Sequence, residues 1–446
     1  MDVLTSIVGF IVALGILVFV HEYGHFWVAK RNGVKVIRFA VGFGKPIYSW
    51  HGKDGTEYVI GMIPLGGYVR MLDGRVDQVL ESEQHLAFDK KSVWQRIAIV
   101  AAGPMANFVF AILLVFVVLL HGTPALKPVV GNITANSIAQ KGGLQLRDEI
   151  LQINEQKVIS WQEVTYALAA AVGDEQLHLV VEREGRTHNI FIDSKGWQLE
   201  DGDLLSGLGI EPFRPNATLN VAFVDESAPA GKAGVQAGDK IVTINGKLIT
   251  EWQDAVDIFT NSANQTLSLE VQRGNEIIGF ELKPDNRPTE DGFSRGYVGI
   301  APQSEPWPKG YVFTNQYDIL PAVFGSFVKT WELIELTFSM IGKFITGSIG
   351  LDNLSGPIAI AQGAGVSAQS GFVYFISFMA LISVNLGVIN LLPLPVLDGG
   401  HLMYFIIELI RGKPVSERVQ EMGFRFGAMA LMMIMGIALF NDFARL

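Results

Sequence analysis

The chain reads as a polytopic α-helical membrane protein, four transmembrane helices flanking a large polar insert, and three observations carry that reading. Only 17% of its 446 residues are charged, against about 25% in soluble globular proteins. Its mean hydropathy is +0.31. The apolar excess sits in long uncharged runs towards the two ends, whereas the stretch between them is ordinarily polar. A wholly soluble enzyme is excluded. The formal net charge of −10 offers no basic field to a phosphate backbone, so nucleic acid is not a partner. With no cysteine, thiol catalysis, disulfides and Cys-ligated zinc are ruled out.

The first uncharged run, Val3 to Val20, is long enough to cross most of a hydrocarbon core of about 30 Å. Its leader Met1-Asp2 is acidic, no small-residue cleavage site follows, and the apolar pattern continues through Phe26, Trp27 and Val28. It is therefore expected to be a retained helix and not a signal peptide. Further runs span Ile97 to Leu120, Gly371 to Leu397 and Phe426 to Phe440. Basic residues cluster after the first run (Lys30, Arg31, Lys35, Arg38), before the second (Lys90, Lys91, Arg96) and between the last two (Arg411, Lys413, Arg418). By the positive-inside rule those loops are cytoplasmic. Both termini and the insert are then expected outside, in the periplasm of a Gram-negative cell.

Between the first two helices, Val34 to Met71 alternates apolar residues with Gly42-Phe-Gly44, Lys53-Asp-Gly55 and Gly66-Gly67, a pattern for β-hairpins. Two roles are open for them: a membrane-associated edge that clamps an extended substrate by strand addition, or a simple cytoplasmic hairpin. Residues 76–88 read as a solvated loop. In the second helix Gly103, Pro104 and Asn107 read as packing and kink residues.

The insert repeats itself. At an offset of 91, Gly143 to Gln162 aligns without a gap on Gly234 to Gln253, matching Gly143/Gly234, Asp148/Asp239, Ile150/Ile241, Asn154/Asn245 and Trp161/Trp252. Each copy predicts a short strand ending in a turn, then a helix after the tryptophan. This pattern resembles PDZ domains of the bacterial protease-associated type, which implies two tandem α+β PDZ domains at 122–214 and 215–304. Residues 1–121 then hold the first two transmembrane helices with the hairpin region and cytoplasmic loop. Residues 305–446 hold an amphipathic helix and the last two spans. That helix places Phe324, Phe327, Trp331, Ile334, Phe338, Ile341 and Ile345 three and four apart. It suits either the outer membrane surface or packing against the second copy. PDZ domains bind peptides by adding a strand; a peptide ligand and a steric filter are both open here.

Chemistry enters at His21-Glu22-Tyr23-Gly24-His25. On a helix the i, i+4 histidines face one way and can share a zinc ion, with Glu22 as general base. An ionisable residue inside an apolar helix is by default functional. A catalytic zinc needs a third ligand and an open position. The run Asn390-Leu-Leu-Pro393-Leu-Pro395-Val-Leu-Asp398-Gly-Gly-His401 supplies Asp398 at a matching depth, and His401 competes with it chemically. Asparagine in an apolar span needs partners, and Pro393 and Pro395 interrupt a helix. Asn385 and Asn390 suit binding of an unwound substrate, an oxyanion, or the gluing of helices.

HExxH in the first span, LDG in a later one and PDZ copies between them resemble the site-2 protease family of intramembrane zinc metalloproteases, over nearly the whole chain. The resemblance implies His21, His25 and Asp398 as ligands of one Zn2+ per chain, Glu22 as catalytic base, and substrate contacts at Asn385, Asn390, Pro393 and Pro395. It also implies a bacterial inner-membrane endopeptidase, active near the cytoplasmic side and embedded in membrane lipid. Its expected substrates are transmembrane segments of single-span proteins: a pre-trimmed anti-sigma-E factor, in an envelope stress response by regulated intramembrane proteolysis, and remnant signal peptides. The competing readings are a PDZ-based membrane scaffold or receptor with a structural metal, and a metal transporter, against which the lack of inverted repeats weighs.

Overall fold

The computed structural model describes residues 3–197, 204–288 and 294–445. Residues 198–203 of the first predicted module and 289–293 of the second lie outside the described residues. The chain begins with helix α1 (Val3–Arg31), the hairpin strands β1 (Val36–His51) and β2 (Glu57–Met71), and α2 (Val93–His121). The first repeat copy gives β3 (Glu149–Ile153), β4 (Gln156–Lys157), α3 (Trp161–Ala171), β5 (Gln176–Arg183) and β6 (Arg186–Asp193). The second gives β7 (Ala217–Val224), β8 (Lys240–Ile244), β9 (Lys247–Leu248), α4 (Trp252–Asn261), β10 (Leu267–Arg273), β11 (Glu276–Leu282) and β12 (Ile300–Ser304). Helices α5 (Ile319–Thr346), α6 (Pro357–Ser370), α7 (Phe372–Leu391), α8 (Asp398–Arg411) and α9 (Glu417–Ala444) follow. Among the described residues four helices are long and apolar enough to cross a membrane: α1, α2, α7 and α9.

Val129–Asn132 and Pro212–Val312 form one compact unit, and the remaining chain forms the other. In the larger unit, small residues let helices approach, as apolar helices do where no side chain stands between them. A Cβ on Gly24 would lie 2.3 Å from the Ala102 carbonyl oxygen of α2, and one on Gly387 2.7 Å from the Phe108 ring. The third span ends at Leu391, not at Leu397. Pro393 and Pro395 lack the N–H that would continue the ladder, and an irregular turn leads into α8. Helix α6 is an element that its Gly/Ala/Ser-rich sequence did not signal. Its first turn is capped from far away: Asp442 accepts hydrogen bonds from the backbone N–H of Gly356 (2.8 Å), Ile358 (2.8 Å) and Ala359 (3.2 Å).

Strands β1 and β2 form a long antiparallel hairpin whose register shifts around Gly42 and Gly44. Both glycines have φ near +90° (89° and 87°), where a side chain would be strained. On α5 the buried line is Ala322, Ser326 and Thr330, while Phe324, Phe327 and Trp331 are exposed. The polar contacts of α5 include two to the first repeat copy: Lys329 Nζ donates to Glu163 Oε1 at 2.6 Å, and Lys343 Nζ donates to the Val172 carbonyl.

Both copies show physically why the matched residues recur. Strands β3 and β5 pair in the first copy, and β8 and β10 in the second. Asn154 and Asn245 turn the chain at φ 51° and 52°, a left-handed conformation that asparagine tolerates. Their Oδ1 atoms accept the backbone N–H of His178 (3.0 Å) and Ser268 (2.9 Å). Buried Asp148 takes a forked pair from Arg183, with both bonds 2.7 Å. Buried Asp239 takes the equivalent pair from Arg273 at 2.7 and 2.8 Å. Each carboxylate also accepts a backbone N–H three residues earlier, at Gln145 and Gln236.

Candidate metal centre and active site

Helix α1 brings His21 and His25 onto one face a turn apart, and the Nε2 atoms lie 3.3 Å from each other. Asp398 opens α8 beside them. Its Oδ2 stands 3.2 Å from His21 Nε2 and 3.4 Å from His25 Nε2. The turn that delivers Asp398 needs its two glycines: a Cβ on Gly399 would meet the Leu392 carbonyl oxygen at 2.2 Å, and one on Gly400 the Leu394 carbonyl oxygen at 2.4 Å. Gly427 of α9 likewise admits the Pro395 ring, whose Cδ would lie 3.2 Å from its Cβ. At the far side of α8, Glu408 accepts a forked pair from Arg96 of α2 at 2.7 and 3.2 Å.

The three atoms suit a cation. Tetrahedral zinc holds N and O ligands at bond lengths that put them about 3.3–3.5 Å from one another, and the observed edges are 3.2, 3.3 and 3.4 Å. Asp398 Oδ2 is buried yet accepts no hydrogen bond among the described residues, an orphan that a bound cation would satisfy. Among the described residues, His21, His25 and Asp398 are the one group of three His, Asp or Glu that converges in this way, and His401 is outside it.

Helix α2 supports both histidines. His25 Nδ1 donates to the Ile99 carbonyl at 2.9 Å, and the carboxamide of Asn107 lies 3.1 Å from His21 Nδ1. A Cβ on Gly103 would stand 2.2 Å from His25 Nε2 and 2.9 Å from His21 Cε1. Gly103 and Asn107 therefore adjoin the site and do more than pack helices. Nothing in the residues around Gly103 and Asn107 signals this, because it depends on α1 lying alongside α2 with its histidines at the same height. Glu22 is buried, and β2 crosses α1 beside it: a Cβ on Gly67 would be 2.8 Å from Glu22 Cγ.

The other predicted residues divide. Asn390 lies at the end of α7, and Pro393 and Pro395 lie in the connection that leads into Asp398. Asn385 sits higher on α7, where its Oδ1 accepts from Thr337 Oγ1 of α5 at 2.8 Å.

The model of Peptidase family M50 matches residues 9–434. The regulator of sigma-E protease RseP of Escherichia coli K12 is 46% identical over 447 residues, covering 99% of both chains. Protease RseP of Yersinia pestis is 46% identical over 450 residues, and a Vibrio cholerae protein bearing a zinc metalloprotease name is 45% identical over 450, each covering both chains fully. A solved PDZ domain of an SdrC-like protein from Listeria monocytogenes, 22% identical, aligns with 19% of this chain and 87% of its own at a TM-score of 0.17. The match along almost the whole length means that the chain belongs to Peptidase family M50 and is a zinc metalloprotease.

Proposed function

We propose that the protein is an intramembrane endopeptidase that cuts transmembrane segments of single-span proteins, with Glu22 as general base and His21, His25 and Asp398 holding one zinc ion. The observation that carries this reading is the triangle of two imidazole nitrogens and one carboxylate oxygen, with 3.2–3.4 Å edges, joined to helices suited to lipid. Zinc, when bound, supplies a Lewis acid to polarise the scissile carbonyl and acidify the attacking water. Glu22 accepts the proton of that water and returns it to the leaving amine. Because a helix hides its carbonyls in its own hydrogen bonds, the substrate must be held unwound. Asn390, Pro393 and Pro395, leading into Asp398, and the β1–β2 edge beside Glu22 are the surfaces for this. Asn385, already engaged by Thr337, contributes from further along α7.

The relatives named as regulators of sigma-E support a role in that stress response. The proposed substrate is a membrane anti-sigma-E factor trimmed on its periplasmic side, with remnant signal peptides as a second class. The two repeat copies are proposed PDZ domains at 122–214 and 215–304. They and both termini are assigned to the periplasm, and the site to the cytoplasmic side of the inner membrane.

The test is cleavage of an outwardly truncated single-span reporter in proteoliposomes by wild type and Glu22→Gln, with metal content measured on both. Glu22→Gln should keep its zinc and lose about 10²–10⁴-fold in rate. Undiminished cleavage by Glu22→Gln would remove Glu22 from the mechanism. Zinc in both with cleavage by neither would favour a scaffold with a structural metal.

A further inference from the structure

We infer that Asn107 is a positioning residue that sets the tautomer of His21, and hence the affinity of the metal site. The inference rests on the proposed ligand set. If both histidines bind metal through Nε2, each must carry its remaining proton on Nδ1, and that proton needs an acceptor. For His25 the acceptor is fixed, because the Ile99 carbonyl offers only lone pairs. For His21, among the described residues, the side chain that hydrogen-bonds Nδ1 is Asn107, at 3.1 Å.

Asn107 is fully buried (0% exposed), and among the described residues its Oδ1 has no hydrogen-bond partner. Half a turn of the carboxamide exchanges Oδ1 with Nδ2 and places that unpaired oxygen on the Nδ1 proton. The rotation gives the buried Oδ1 a donor and frees the His21 Nε2 lone pair for the metal, with Nδ2 taking the position that Oδ1 held. With Nδ2 donating to Nδ1 instead, the proton is driven to Nε2 and blocks the ligand atom. The backbone of Asn107 is held independently, since its carbonyl accepts from Ser383 Oγ at 2.8 Å. The choice is therefore made by the side chain alone.

The experiment is zinc affinity of the purified full chain by competition with a chromophoric chelator, for wild type, Asn107→Leu, Asn107→Asp and His21→Ala, with thermal unfolding in excess chelator as the folding control. Asn107→Leu removes the acceptor at similar volume and should weaken zinc about 10–100-fold without moving the unfolding midpoint of the metal-free protein. Asn107→Asp, which can only accept, should restore affinity to within a few-fold of wild type. Wild-type affinity in folded Asn107→Leu overturns the inference, as does an equal loss in Asn107→Asp. If Asn107→Leu does not fold, the Asn107→Asp result decides by itself. Zinc retained at full affinity by His21→Ala sinks the ligand assignment instead, which separates the two failures.

Discussion

Replacing Gly103 with alanine adds one carbon to the molecule, and the structure states where it goes. The new Cβ would be 2.2 Å from His25 Nε2 and 2.6 Å from its Cε1, whereas unstrained contact needs about 3.5 Å. The imidazole must retreat by more than about 1 Å. It is not free to do so, because the His25 Nδ1 bond to the Ile99 carbonyl ties the ring to the same helix that carries the intruding carbon. Breaking that bond costs about 0.5–1.5 kcal/mol, and a misplacement of about 1 Å in a reacting constellation costs about 10²-fold in rate. Gly103→Ala should therefore lose at least that much reporter cleavage and bind zinc more weakly. Helix propensity works in the opposite sense, favouring α2 by about 1 kcal/mol, and the unfolding midpoint of metal-free Gly103→Ala separates a lost site from a lost fold. Gly15 on α1 has no neighbour within 4 Å of its Cβ position among the described residues, and Gly15→Ala is the matched control with unchanged activity. Wild-type cleavage and zinc content in Gly103→Ala would refute the geometry argued for the site.

Two further predictions concern stability. Burial works to raise Asp239, but the forked bond from Arg273 and the Gln236 N–H outweigh it and hold the carboxyl below its ordinary 3.8. The stability it contributes is therefore complete above that value and is lost as pH falls through the depressed one. Asp239→Asn should destabilise the second repeat copy by about 3 kcal/mol, the low end for breaking a buried pair, because Arg273 is one-third exposed and can rehydrate. It should also flatten the acid dependence, and hydrogen exchange of the β8 and β10 amides in the full chain reads both effects. An acid limb as steep in the variant as in wild type would count against it. Asp442→Ala should release the first turn of α6 at a cost of about 1–2 kcal/mol, seen as faster exchange of the Gly356, Ile358 and Ala359 amides. Unchanged protection there would deny the distant cap its role.

What could be read in the residues alone was whatever repeats over a short distance. The i, i+4 histidines and the long apolar runs are local patterns, and each corresponds to a local structure; the match of Asp148 to Asp239 is legible because each copy carries its own contiguous motif. The elements that escaped are those decided by residues far apart in the chain. Helix α6 has weak intrinsic signals, and its first turn is satisfied by Asp442, 86 positions beyond Gly356. The uncharged run continues six residues past the end of α7, to Leu397 and not Leu391, because such a run does not reveal where its prolines stop a helix. Asn107 reads as a packing residue from sequence, since nothing in its own neighbourhood says that α1 lies alongside with His21 at the same height. Gly24 against Ala102 sets that register.

Pro104 takes on a different meaning in this setting. It has no N–H for the Val100 carbonyl, so α2 is missing a rung, and helices bend most readily where a rung is missing. That joint falls between Ile99, which steadies one imidazole, and Asn107, which steadies the other. Flexing α2 there does not carry the metal site along as a rigid passenger. It would change the distance between the two supports, one on each side of the joint, so the curvature of a single helix bears on how both imidazoles are held.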